Sequence, residues 1–171
     1  MKTIKGDLVE LAAAGSFNVI VHGCNCFNTM GAGIAYQIAK RFPEAAHVDN
    51  LTTMGERNKL GKYTIAAVRG YYGDALLIVN AYTQYGYGSV IRAGLGAGDK
   101  SRTHVDYDAI RKVFSTVVYS LACMSDTIRI GIPRIGAGLA GGDWNRINTI
   151  IETEMDGFAD PDLITLVEYE K

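Results

Sequence analysis

The most constraining feature of this chain is an alternation. Short apolar runs rich in Val and Ile, such as "FNVIVHGC" (17–24), "ALLIVNAY" (75–82) and "TIRIGIP" (127–133), alternate with segments of helical period. In "IAYQIAKRF" (34–42), Ile34, Ile38 and Phe42 fall four residues apart, so they share one helix face, and Pro43 stops the run. "VDYDAIRKVFSTVVYSLACM" (105–124) puts Ile110, Phe114, Val117, Val118 and Leu121 on one face, with Asp106 a candidate N-cap. "MKTIKG", "KYTIAAV" (62–68) and "LITLVEY" (163–169) read as further strands, and residues 44–60 as partly helical. Strands alternating with helices predict an α/β domain with helices on both sides of its sheet.

Composition narrows the function classes. A length of 171 residues fits one domain, residues 1–171, with a full-sized core. The net charge of −1 gives no electrostatic footprint for nucleic acid. No run is long and apolar enough for a transmembrane helix, and "MKTIKGDLVEL" is too charged for a signal peptide, so a cytoplasmic, membrane-free protein is expected. Cys24, Cys26 and Cys123 are odd in number and irregularly spaced, which suits reduced thiols. The three histidines (His22, His47, His104) are scattered, so no metal site and no cofactor is expected.

Two strand-to-helix junctions are rich in glycine. "NTMGAG" (28–33) follows the second apolar run, and "RIGAGLAGGDW" (134–144) carries four glycines in eleven residues. Each glycine costs conformational entropy unless the backbone needs unusual angles or a close approach. Ligands of α/β sheets sit beyond the strand carboxyl ends, where helix N-termini offer free N–H groups to anions. Two such loops facing each other could clamp a diphosphate; tight turns and close packing are the alternative. No P-loop is present. "GAGLAG" (136–141) matches a dinucleotide fingerprint formally, but it lies too near the C-terminal end for a second nucleotide-binding half. The long Gly-rich connection 83–104 points to function by its length.

"KGDL", "VIVHGCNCFNTMGAGIAYQIAKRFPEA" and "GIPRIGAGLAGGDW", in this order, resemble the macrodomain, an ADP-ribose-binding module. The resemblance covers essentially the whole chain. It is nearest to the branch holding ADP-ribose 1″-phosphate phosphatase and the ADP-ribosyl-glutamate hydrolases. It implies a three-layer α/β/α sandwich with a mixed central sheet. It also implies roles. Asp7 would accept from the adenine amino group and Leu8 would give backbone contact. Asn25 would hold the distal ribose, and Gly31, Ala32 and Gly33 would meet distal ribose and phosphate. Ile135, Gly136, Ala137, Gly138 and Leu139 would wrap the diphosphate, and Tyr82, Tyr85 and Tyr87 could border the distal ribose. Each has a plainer alternative: Asp7 as an N-cap, His22 as a core histidine, Asn25 as a turn former, the tyrosines and Trp144 as core, and Cys24 and Cys26 as packing residues.

The chain departs from the glutamate-linked hydrolases in two places. Their strand lysine has no counterpart in "LLIVNAY", where Asn80 stands near, and Ala140 replaces the aspartate that follows their "GxGL" element. A lysine-based covalent route therefore lacks its nucleophile. Phosphomonoester hydrolysis asks less: His22 as acid or base, Asn25 beside the ribose, and loop amides to stabilise the phosphoryl charge. Asp143 either reaches the distal end or caps the following helix. The leading expectation is a monomer that binds ADP-ribose and cleaves its 1″-phosphate. Alternatives are a hydrolase acting on ADP-ribosylated protein or nucleic acid through residues such as Asp143, a non-catalytic ADP-ribose binder, and a Rossmann-type oxidoreductase.

Overall fold

The computed structural model describes residues 1–69, 75–88, 103–122, 128–156 and 163–170. Six strands form one sheet: β1 (Lys2–Gly6), β2 (Val19–Asn25), β3 (Tyr63–Arg69), β4 (Ala75–Gln84), β5 (Ile130–Ile132) and β6 (Ile164–Tyr169). Their spatial order is β1-β6-β5-β2-β4-β3. Only β3 runs antiparallel to its neighbour β4, so the sheet is mixed. Among the described residues five α-helices accompany it: α1 (Leu8–Ala13), α2 (Gly33–Arg41), α3 (Pro43–Asn50), α4 (Tyr107–Ala122) and α5 (Trp144–Glu154).

Strand alternation divides the core into two layers. Val19 and Val21 of β2 project into an apolar layer with Phe114 and Val117 of α4 and Ile147 and Ile151 of α5. Ile20, between them, projects the other way, against Leu8 and Ala12 of α1, Ile38 of α2 and Ala45 of α3. The three-layer α/β/α sandwich with a mixed sheet is thus present as expected. β2 lies between β5 and β4; the helix after β2 joins one layer and the helix after β5 joins the other. Chain direction therefore splits at the carboxyl ends of β2 and β5, which opens a crevice there.

Several boundaries differ from the sequence reading. Pro43 ends α2 and also opens α3, where its missing N–H costs nothing. β4 continues two residues past Tyr82, and Gln84 bridges Val105, so the start and end of the long connection are tied together. Residues 89–102 of that connection, the turn 70–74 and Cys123 lie outside the described residues. Asp106 does cap α4, accepting from the Ala109 amide at 2.9 Å.

Candidate functional site

A cleft of about 630 Å³ occupies the crevice. One wall is the loop after β2 and the start of α2: Thr29, Gly31, Ala32, Gly33, Ile34 and Ala35. The facing wall is the loop after β5, from Pro133 to Gly136 and Gly138 to Ala140. Gly23 and Asn25 form the floor, and Gln84, Tyr87, Gly88 and His104 close one end. At the other end a second hollow of about 500 Å³ shares Gly33, Ile34, Pro133 and Arg134, and adds Gly6, Leu8, Gln37 and Tyr169. Together they make one elongated groove across the strand ends.

The two walls supply donors differently. α2 begins without a side-chain cap: its N-cap residue is Ala32, in extended conformation (φ −151°, ψ 163°). The first N–H groups of a helix have no intrahelical acceptor, so here they are left to the cleft. The opposite loop turns tightly, with Gly142 N–H donating to Gly136 C=O at 2.8 Å and Gly141 N–H to Gly138 C=O at 2.9 Å. Among the described residues, the amides of Gly136, Gly138, Leu139 and Ala140 donate to no backbone carbonyl. Gly136 is required on two counts. Its φ of +74° lies in the left-handed region, and a side chain there would meet Val105 Cγ2 at 2.7 Å. At the mouth the walls nearly touch: a Cβ on Gly33 would sit 3.6 Å from Leu139 Cδ1.

Asn25 joins floor and wall. Its Nδ2 donates to Thr29 C=O at 2.8 Å, and its Oδ1 accepts from Phe27 N–H at 2.9 Å. The side chain thus shapes the first loop while lining the cleft. Behind that loop lies a buried polar cluster that the sequence reading missed. Lys59 Nζ donates to Cys26 C=O at 3.2 Å and to Asn28 Oδ1 at 2.6 Å. Asn28 Nδ2 donates to Asp49 C=O and Thr52 C=O at 2.6 and 2.9 Å. Tyr82 Oη donates to Asp49 Oδ1 at 2.8 Å. Burial pushes the Asp49 carboxyl up, while the Tyr82 bond and the Lys59 charge oppose that.

Of the residues expected in the site, Asn25, Gly31, Ala32, Gly33, Ile135, Gly136, Gly138 and Leu139 line the larger cleft, and Leu8 lines the smaller. Ala137 packs against the α4–α5 core instead. Asp7 caps α1, with Oδ1 accepting from Val9 N–H at 2.8 Å and Glu10 N–H at 3.3 Å. Three residues stand elsewhere. His22 is fully buried on the α2–α3 face, because it alternates with Gly23 and Asn25. Its Nε2 lies 2.8 Å from Asn80 Oδ1. Asn80 Nδ2 donates to Ala45 C=O and Thr64 Oγ1, which fixes the amide orientation, so His22 Nε2 must be the donor. Burial outweighs that bond and lowers the imidazole to about 4, so it stays neutral. Tyr82 shares this face and does not border the cleft. Asp143 caps α5 through a 2.9 Å bond from Asn145 N–H.

The sequence reading missed Gly23, Gln84 and His104 as lining residues. Gly23 and Asn25 were legible from period-2 alternation around His22. Gln84 and His104 sit in the connection already marked by its length.

No family model matches the chain. It is 33% identical over 164 residues to a 17.5 kDa protein of the tk-vs intergenic region of Enterobacteria phage T4, covering 90% of this chain and 88% of that one. It is 25% identical over 169 residues to the ADP-ribose 1″-phosphate phosphatase of Saccharomyces cerevisiae, covering 87% and 89%. The fold matches the macrodomain of Mycobacterium tuberculosis DarG with a TM-score of 0.70 at 18% identity, over 99% of this chain and 97% of that one. The chain has the macrodomain fold. In this macrodomain fold the groove lies between the β2–α2 and β5–α5 loops. No helix among the described residues is long and apolar enough to cross a membrane.

Proposed function

We infer that this macrodomain binds ADP-ribose in the groove. One observation carries the reading: the uncapped N-terminus of α2 faces a loop of free amides across the cleft. Two sets of N–H donors, one aided by a helix dipole, suit a diphosphate between them. The smaller hollow, lined by Leu8, takes the adenosine end. Both bonds Asp7 makes to α1 use Oδ1, which leaves Oδ2 for the adenine amino group. Asn25, Gln84, Tyr87 and His104 surround the distal ribose.

The similarity to the yeast phosphatase supports hydrolysis of ADP-ribose 1″-phosphate as the reaction. Among the described residues, the larger cleft is lined by no lysine and no carboxylate. That disfavours removal of ADP-ribose from proteins by a lysine-based route. The placement of His22 leaves His104 as the imidazole lining the cleft among the described residues, so acid–base work passes to His104. Loop amides stabilise charge on the transferring phosphoryl group.

Calorimetric titration with ADP-ribose, against AMP and NAD, tests the binding. Selective binding of ADP-ribose supports the reading, and preference for NAD overturns it. Phosphate release from ADP-ribose 1″-phosphate tests the chemistry. His104→Gln should lower turnover about a hundredfold while ADP-ribose still binds; unchanged turnover would remove His104 from the mechanism.

A further inference from the structure

The run "RIGAGLAGGDW" opens on Arg134, a cation at the edge of the groove. Strand register puts it there. β5 and β6 run parallel with Ile132 beside Leu166, and two residues further on Arg134 meets Glu168 at the strand ends. Its Nε donates to Glu168 Oε1 at 3.1 Å, and its Nη2 donates to the same oxygen. The ring of Trp144, first residue of α5, is centred 5.9 Å from the guanidinium carbon. The pair is exposed, and exposed ion pairs add little stability. The fold alone therefore gives the arginine little to do.

Three features tie it to a ligand. First, it stands at the waist of the groove. The larger cleft and the smaller hollow share four lining residues, Gly33, Ile34, Pro133 and Arg134. A ligand that fills both hollows passes its middle between these four, and the middle of ADP-ribose is its diphosphate. Second, among the described residues it is the one lysine or arginine that lines either hollow. Third, its guanidinium is only half committed. Both bonds to Glu168 use the Nε–Nη2 edge, Nη1 donates to no described residue, and the side chain is 56% exposed. A planar fork held by one edge is already oriented on the other, so little entropy is lost when an anion arrives.

We propose that Arg134 is the charge-compensating ligand contact of the groove: its Nη1 side donates to an oxygen of the bound diphosphate while Glu168 holds the opposite edge. The loop amides and the start of α2 offer hydrogen bonds and partial charges. Arg134 adds the full positive charge that a diphosphate calls for. The proposal rests on the ADP-ribose reading and adds a residue to it.

Arg134→Gln removes the charge and keeps a polar side chain. Its thermal midpoint without ligand should match the wild type, because the lost ion pair is exposed. Its affinity for ADP-ribose, read by calorimetry, should fall about tenfold, and its affinity for adenosine, read by NMR titration, should not change. Arg134→Lys should recover only part of the loss, since an ammonium keeps the charge without the fork. The loss should persist in high salt, which screens a distant field more than a hydrogen-bonded pair. A glutamine variant that binds ADP-ribose as tightly as the wild type overturns the proposal and leaves the ADP-ribose reading intact. Equal losses for ADP-ribose and adenosine also overturn it, because the arginine would then serve the adenosine hollow. So does a loss that vanishes in high salt, or one accompanied by a lower thermal midpoint. A wild-type protein that does not bind ADP-ribose defeats the functional reading itself.

Discussion

The β2–α2 and β5–α5 junctions look alike in sequence but are built in opposite ways. Both leave an apolar strand, pass through glycines and enter a helix. At β5–α5 the helix carries its own cap, Asp143, and the loop rests on apolar core, with Gly136 against Val105, Ile147 and Ile110. At β2–α2 the cap residue is Ala32, and the loop is tied down from behind by Lys59, Asn28, Asp49 and Thr52. Asp7 and Asp106 also cap their helices, whereas α2 and the proline-opened α3 start without a side-chain cap, and of these two α2 starts at the cleft. An aspartate cap satisfies helix amides and repels an anion. Its absence at α2 puts the anion-binding end of a helix at the cleft. The second junction offers anions its loop amides and keeps its helix terminus closed.

The comparison can be broken in order of effect. Lys59→Met should cost most, about 3 kcal/mol in urea unfolding, because it removes the ammonium donor from Asn28 Oδ1 and Thr52 Oγ1 and leaves the Asp49 charge uncompensated. ADP-ribose affinity should fall with it, since the first loop loses its backing.

The stability curve against pH reads the same polar face. His22 titrates at an ordinary value of 6.5 when unfolded and at about 4 when buried. Between these values the unfolded chain binds more protons, so stability is full above 6.5 and falls as pH drops towards 4. The loss should total about 3 kcal/mol. His22→Gln, which has no proton to gain, should flatten that part of the curve.

Ala32→Asp would make the first junction resemble the second. The exposed N-cap position should accept it, adding about 1 kcal/mol of stability. ADP-ribose affinity should fall on the order of a hundredfold, as a carboxylate takes the amides and repels the diphosphate. Retained affinity would show that α2 does not carry the anion. Asp143→Ala is the mildest change. It should lower stability by about 1 kcal/mol and leave ADP-ribose binding within about twofold, because that cap lies outside the cleft lining.

Much of the architecture was legible in single residues. The periods of "IAYQIAKRF" and "VDYDAIRKVFSTVVYSLACM" located α2 and α4, and Asp7, Asp106 and Asp143 announced three caps. The glycine loops marked both walls of the groove. Reading failed where a side chain's direction depended on its neighbour strand. His22 and Asn25 are three residues apart on β2, yet one is sealed under α3 and the other lines the cleft. The difference is strand parity, and no local propensity reports which face holds the ligand. Asn80, near the hydrolase-like position on β4, is a core hydrogen-bonding residue. The bulge at Thr83 instead brings Gln84 to the site.

By itself, then, the sequence determined the order of elements, their amphipathic faces, the caps and the two glycine junctions. These depend on contacts within a few residues along the chain. Tertiary structure decided that Asn25, Gln84, His104 and Gly136 converge, that His22 and Tyr82 turn away, and that Lys59 lies buried behind the first loop. Those outcomes depend on strand register and on which sheet face each helix covers. Both are set by packing between segments far apart in sequence, where a one-residue shift exchanges core for cleft.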